Sequence, residues 1–168
     1  MTLAYVGLGS NLEHPRRQLA RAVRALKRLP RTRLVAVSPN YQTEPQGSAG
    51  PQPDYVNAVA LLSTSLAPRA LLDLLHAIER RQRRRRPGGT RNAPRTLDLD
   101  LLLFGRRRMR IAQLTIPHPR MHARAFVLRP LEDIAPSANI PGHGPARRLL
   151  RNVAGQRVAR TRTHRLPG

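Results

Sequence analysis

The chain has no cysteine and no tryptophan, only two phenylalanines and three tyrosines, and nine acidic residues against 31 basic ones. Without cysteine there are no disulfides, no thiolate metal sites and no cysteine nucleophile. Aromatics at 3% leave few platforms on which bases could stack, which weakens a single-strand nucleic-acid reading. No apolar stretch approaches the roughly 20 residues that a membrane helix needs. Met1 to Val6 enters a strand-like pattern directly, without the basic segment, apolar stretch and cleavage site of a secretory leader. A cytoplasmic protein with no membrane partner is the expectation. Lys27 is the only lysine, so the early glycines Gly7 and Gly9 have no Walker A lysine to serve them. A net charge of +22 ordinarily points to nucleic acid or an anionic surface. Because nearly all of it is arginine in a chain rich in Ala, Pro and Gly, a coding bias acting on an ordinary surface competes with that reading.

What is present centres on one stretch. Arg91 to Arg95 forms an arginine-containing loop that runs into Thr96-Leu97-Asp98-Leu99-Asp100-Leu101-Leu102-Leu103-Phe104. Side chains alternate faces along a strand, so Asp98 and Asp100 share one face while Leu97, Leu99, Leu101 and Leu103 share the other, core-facing one. Two carboxylates this close repel unless positive charge compensates them. A magnesium ion completed by water and phosphate oxygens would do so; paired arginines on a solvated face would do so too.

The 168 residues fit one domain, 1–168, with a tail from about residue 155 expected to be flexible. A first strand at Leu3 to Leu8 ends in Gly9-Ser10-Asn11, read as a strand-to-helix turn with a capping side chain. Apolar residues at helical spacing mark helices from Pro15 to Leu29 and from Ala67 to Ile78, each with a proline at its start. Between them lie a strand from Leu34 to Tyr41, a long loop from Thr43 to Pro53, and a strand from Asp54 to Leu62. On that last strand Tyr55 and Asn57 share a face, a ring beside a carboxamide suited to a flat heterocycle. An arginine run from Arg80 to Arg86 precedes the acidic strand, either as a solvated tract or as a cover for polyphosphate. After a basic turn and a short strand at Leu114 to Ile116, the segment Pro117 to Phe126 gathers His118, Arg120, His122, Arg124 and Phe126. A short helix near Ala146 to Val153 and an edge strand complete the expectation. The order strand, helix, strand, strand, helix, strand predicts an α+β fold, a ferredoxin-like βαββαβ sandwich with C-terminal additions. Its helices would lie on one face and leave the other for ligand.

Taken together, Ala4 to Asn11, Tyr41 to Pro45, Asp54 to Asn57, Pro94 to Asp100, Pro117-His118 and Arg124-Ala125-Phe126 resemble the 6-hydroxymethyl-7,8-dihydropterin pyrophosphokinase family over nearly the whole chain. The resemblance implies transfer of pyrophosphate from ATP to the pterin hydroxymethyl group, releasing AMP, in folate biosynthesis. It implies two Mg2+ ions on Asp98 and Asp100, and catalytic roles for Arg84, Arg95, Asp98 and Asp100. ATP would meet Glu79, Arg84, Arg95 and His118, with further phosphate contacts from Arg86 and Arg124. The pterin would meet Thr43, Pro45, Gln46, Tyr55, Asn57 and Phe126, the two rings sandwiching it. Arg83 stands where the family commonly has glycine, and Asn92 where some members carry tryptophan. The expected partners are the two small molecules alone, with a monomeric protein and no specific nucleic acid. A basic ferredoxin-like nucleic-acid-binding module and another two-metal nucleotidyl transferase are the competing readings. The first leaves the acidic pair unexplained, and the second has no use for Tyr55, Asn57 and Phe126.

Overall fold

The computed structural model describes residues 1–44, 53–82 and 96–161. Its elements are β1 (Thr2–Ser10), α1 (Pro15–Leu26), β2 (Thr32–Val37), β3 (Tyr41–Thr43), β4 (Tyr55–Thr64), α2 (Pro68–Gln82) and β5 (Asp98–Phe104). There follow β6 (Met109–Ile111), β7 (Leu114–Ile116), a 3-10 turn at Met121–Ala123, α3 (Ala125–Ile134), β8 (Asn139–Ile140), β9 (Gly144–Pro145), α4 (Ala146–Asn152) and β10 (Ala159–Arg160).

The main sheet is antiparallel at every pairing, and β4 is its spine. On one side of β4 lies β1, with β5 beyond it; on the other side β2 and β3 follow one another along the same edge. β10 pairs with β3, so the region after residue 155 returns to the sheet as an outer strand. Val56, Ala58, Ala60 and Leu62 of β4 enter one core and Val59 the other. A strand covered on both faces has to be apolar at nearly every position, which this sequence is.

The strand predicted at Leu34 to Tyr41 is two strands. Pro39, at the break, has no N–H to give the ladder. Ser38 keeps the register there: its N–H donates to the Val59 carbonyl at 2.9 Å, and its hydroxyl oxygen accepts from the Val59 N–H at 2.9 Å. α1 ends at Leu26, short of the predicted Leu29, because the last turn tightens, with the Leu29 N–H reaching the Leu26 carbonyl at 3.3 Å. Its start also differs from expectation. Residues 9 and 10 are still strand, and the N-cap is His14 in the left-handed region (φ 62°), with no side-chain cap. Asn11 instead donates from Nδ2 to the Pro53 carbonyl at 3.2 Å, tying the turn to the entrance of β4.

Two further expectations are corrected. The sheet carries helices on both faces. Leu19, Ala22 and Leu26 of α1, with Leu71, Leu72, Leu75 and Ile78 of α2, cover one face. Val127, Leu128 and Leu131 of α3, with Leu149 of α4, cover much of the other, over Val59, Leu102 and Leu103. The face expected to lie open is therefore largely roofed, and the roof stops short of the carboxylates: Asp98 is half-buried and Asp100 exposed. Leu103 also leaves its predicted face. The β1–β5 register shifts between Tyr5 and Val6, whose partners are Leu103 and Leu101. The extra residue, Leu102, is a bulge that interrupts the alternation. Leu102 and Leu103 consequently join the second core, and Phe104 takes the position beside Leu101 in the first. No helix among the described residues is long and apolar enough to cross a membrane.

Candidate active site

The acidic face of β5 looks across β1 towards β4. In the antiparallel register Asp98 stands opposite Gly9 and Asp100 opposite Gly7, while Gly9 stands opposite Asn57 on the other side. Directly opposed residues share a face. Asp98, Gly9 and Asn57 therefore form one row, and Asp100, Gly7 and Val59 the next. The middle strand has no side chain at either row, so the trough between the carboxylates and the carboxamide is filled from its sides, by the Asn57 amide over Gly9 and the Leu102 side chain against Gly7. A Cβ on Gly9 would stand 3.0 Å from Asn57 Oδ1, closer than a carbon and an oxygen comfortably pack. On Gly7 the nearest atoms to a Cβ would be those of the Leu102 side chain, at 3.5 Å.

Tyr55 begins β4, half-buried, and faces the same side as Asn57 by strand alternation. Asn57 is buried, and its Nδ2 donates to Thr43 Oγ1 at 2.9 Å. Phe126 lies in the first turn of α3, which packs on this same side of the sheet. The Arg124 guanidinium stands 5.3 Å from the centre of the Phe126 ring, a cation-π contact. Burial and the neighbouring Arg120 push the Arg124 pKa down, while the Asp100 carboxylate pulls it up, so the arginine and the acidic strand sense one another.

The outer edge of β5 carries the next two candidates. Glu79, buried on α2, accepts the Leu99 N–H on Oε2 at 3.0 Å. A carboxylate thus meets a backbone donor that the edge strand would otherwise leave unpaired. His118 donates its own N–H to the Leu102 carbonyl at 2.9 Å, and its Nδ1 accepts the Arg120 N–H at 3.2 Å. Burial first, then Arg124 and Arg120, lower the His118 pKa from 6.5 to about 4. At neutral pH the ring is uncharged, and since Nδ1 accepts, the proton sits on Nε2 as a donor.

Asp98, Asp100, Glu79, Thr43, Tyr55, Asn57, His118, Arg124 and Phe126 are thus brought to one side or one edge of the β5, β1, β4 portion of the sheet. Pro45, Gln46, Arg84, Arg86 and Arg95 lie outside the described residues. Sequence reasoning missed Gly7 and Gly9 as the floor, having read Gly9 as part of a turn. It also gave no specific role to Arg120, whose backbone fixes the imidazole of His118. Two aligned carboxylates are a donor set for a hard, oxygen-seeking cation, and the adjacent guanidinium and neutral N–H donor favour an anionic ligand. Among the described residues no cluster of three or more His, Cys, Asp or Glu could hold a metal, so water and ligand oxygens would have to complete the shell.

The model of the family 7,8-dihydro-6-hydroxymethylpterin-pyrophosphokinase matches residues 5–136. The chain belongs to this family. Similar curated relatives include the 2-amino-4-hydroxy-6-hydroxymethyldihydropteridine pyrophosphokinase of Pseudomonas aeruginosa, 56% identical over 82% of this chain and 83% of the relative. That of Haemophilus influenzae is 44% identical over 94% of this chain and 97% of the relative. Both are named as pyrophosphokinases, in agreement with the enzyme class expected from the sequence. Among solved structures, Plasmodium falciparum HPPK-DHPS crystallised with pteroate superposes at a TM-score of 0.71 over 92% of this chain, with 13% identity. This chain spans 42% of that longer protein, and the likeness is one of fold. The family's α+β arrangement is therefore the arrangement of this chain, and the match from residue 5 to residue 136 takes in every candidate residue named above.

Proposed function

We propose that the protein transfers pyrophosphate from ATP to the hydroxymethyl oxygen of 6-hydroxymethyl-7,8-dihydropterin, giving the pterin diphosphate and AMP. The observation that carries this reading is the juxtaposition, on one side of the sheet, of two carboxylates on β5 with a carboxamide and a ring on β4, with glycine at both intervening positions of β1. Family membership supplies the substrates; the strand order β5, β1, β4, then β2 and β3, supports the ferredoxin-like description of the sheet.

The pterin lies between Tyr55 and Phe126, with Asn57 against its donor edge and the Thr43, Pro45 and Gln46 backbone beside it. ATP lies along the outer edge of β5, near Glu79 and His118. Arg84, Arg95, Arg86 and Arg124 neutralise its phosphates. Asp98 and Asp100 would hold magnesium, two ions by the family resemblance, and when bound the metal withdraws charge from the phosphate oxygens. The pterin hydroxyl oxygen attacks the β-phosphorus in line. The bond from that phosphorus to the oxygen shared with the α-phosphorus breaks, and AMP departs with that oxygen. The hydroxyl proton leaves to water as the oxygen attacks. Catalysis of this kind rests on positioning and charge neutralisation, and arginines take the place of the absent phosphate-loop lysine.

Product analysis tests the reading. Purified protein with ATP, magnesium and 6-hydroxymethyl-7,8-dihydropterin should yield AMP and pterin diphosphate in equal amounts. Formation of ADP, or no pterin-dependent turnover by folded protein, would overturn it.

A further inference from the structure

The start of α3 carries both Arg124 and Phe126, yet its own N-cap does nothing to secure it. Arg124, at that position, has an extended backbone (φ −121°, ψ 111°), and its side chain makes no capping hydrogen bond. The guanidinium lies over the Phe126 ring and senses the Asp100 carboxylate instead. A helix begun this way leaves its leading N–H without a partner inside the helix. Here the partner comes from elsewhere in the chain. Gln156, in the turn that follows α4, accepts the Ala125 N–H on Oε1 at 2.9 Å and donates from Nε2 to the Ala123 carbonyl at 2.9 Å. The side-chain amide stands across Arg124 as a neighbouring strand would, meeting one backbone group on either side of it. Its orientation is fixed by chemistry, since a backbone N–H can only donate and a backbone carbonyl only accept.

Gln156 is itself held in place. Its own N–H donates to the Val153 carbonyl at 3.0 Å, Val153 is buried in the second core, and Val158 packs against that core. The chain then pairs with β3 through Ala159 and Arg160, and the Thr161 N–H donates to the Asn40 carbonyl at 2.9 Å. One segment, residues 153–161, therefore grips both the start of α3 and the strand that bears Thr43. Gln156 lies beyond residue 136, where the family match ends.

We infer that Gln156 is a positioning residue for the reaction proposed above: its carboxamide clamps the backbone on both sides of Arg124 and so presets the Arg124 guanidinium and the Phe126 ring. Its effect on ligand rests on the pterin reading; the clamp itself does not. The division of labour has a chemical reason. A serine or aspartate at the N-cap would secure the helix from within, but it would remove the cation.

The test uses Gln156→Met, which keeps length and volume without either polar atom, and Gln156→Glu, which keeps an oxygen for the Ala125 N–H and loses the donor. The dissociation constant of 6-hydroxymethyl-7,8-dihydropterin, measured beside a non-hydrolysable ATP analogue, should rise roughly tenfold in Gln156→Met, the worth of one hydrogen bond. Gln156→Glu should lie between that value and the unaltered one. Residues that act through one another are not additive, so on a Phe126→Ala background Gln156→Met should weaken pterin by less than about threefold. A full tenfold loss on that background marks a general loosening and overturns the inference. So does unchanged pterin affinity in Gln156→Met with only a lower thermal midpoint. Failure of the pterin reading looks different, since the unaltered chain would then bind no pterin and form no AMP. In that event the ligand-free protein decides. The Phe126 ring should shift the Arg124 side-chain proton resonances upfield, and the Ala125 N–H should exchange slowly. Both signatures should persist in Gln156→Glu and be lost in Gln156→Met, and equal shifts and rates in all three proteins would sink the clamp.

Discussion

A carboxylate that holds a cation and one that merely rests on a wet surface respond differently to losing their charge. Asp98→Asn and Asp100→Asn keep the shape of each side chain and remove half of its ligating power. Each should lower kcat by about 100-fold or more while the thermal midpoint changes little, since Asp100 is exposed and Asp98 only half-buried. Steady-state kinetics beside a melting curve checks this, and full activity in either variant would remove the metal role. His118 makes a prediction in pH. Its folded pKa, about 4, lies below the ordinary 6.5, so between those values the unfolded chain binds a proton that the folded chain does not. The group therefore withdraws stability as pH falls from about 6.5 towards 4, and costs nothing above that window. Replacing it with glutamine should flatten the acid side of a stability-versus-pH profile, and the His118 ring proton resonance should titrate near 4. The pairing of Asp98 with Asp100 was legible from sequence because strand alternation is a local rule. The environment of His118 was not, because it is made by Arg120 and Arg124 folding back across β5.

Elements rather than residues decide how the edge of the sheet is finished. Among the described residues β5 pairs with β1 alone, and its outer Leu99 N–H is met by Glu79 from α2. Glu79→Ala would strand that donor, at a cost of about 1–3 kcal/mol in chemical denaturation, with Glu79→Gln recovering part of it because an amide oxygen still accepts. A loss confined to ATP affinity, with stability intact, would show that the carboxylate serves ligand alone. The hydrophobic stripes of α1 and α2 were readable in advance, since their buried positions follow the helical period. Two other features were not. The bulge at Leu102 moves Leu103 across the sheet without any glycine or proline to signal it. The roof of α3 and α4 depends on which face the C-terminal segment returns to. Part of that choice is fixed by Tyr41, whose hydroxyl donates to Asp133 of α3, a contact 92 positions apart in the chain that no local pattern announces.

For the molecule as a whole, charge is the dominant fact. Part of the net +22 is relieved by exposed or half-exposed ion pairs such as those of Arg69 with Asp73 and of Glu132 with Arg129 and Arg147. Such pairs contribute little, so self-repulsion stands largely uncompensated at low ionic strength. The thermal midpoint should therefore rise by several degrees, on the order of 3–6 °C, between roughly 20 and 300 mM sodium chloride as the screening length shortens. A midpoint that falls with salt would mean that attractive pairs outweigh repulsion. Composition made this visible from the start, whereas the trough could be seen only after β1 was found between the two functional strands.

That intermediate position of β1 sets a gauge. Strands in a sheet lie about 4.8 Å apart, so the bank bearing Asn57 and the bank bearing Asp98 are separated by two such steps, roughly 10 Å, and hydrogen bonds on both sides of β1 hold the distance. The separation of the two backbones cannot be adjusted by sliding a helix, because it is written in the repeat of the sheet itself. On the reaction proposed above, an acceptor whose alcohol arm is one carbon longer than that of the hydroxymethylpterin would carry its oxygen past the phosphorus, and the paired strands have no means of widening to receive it.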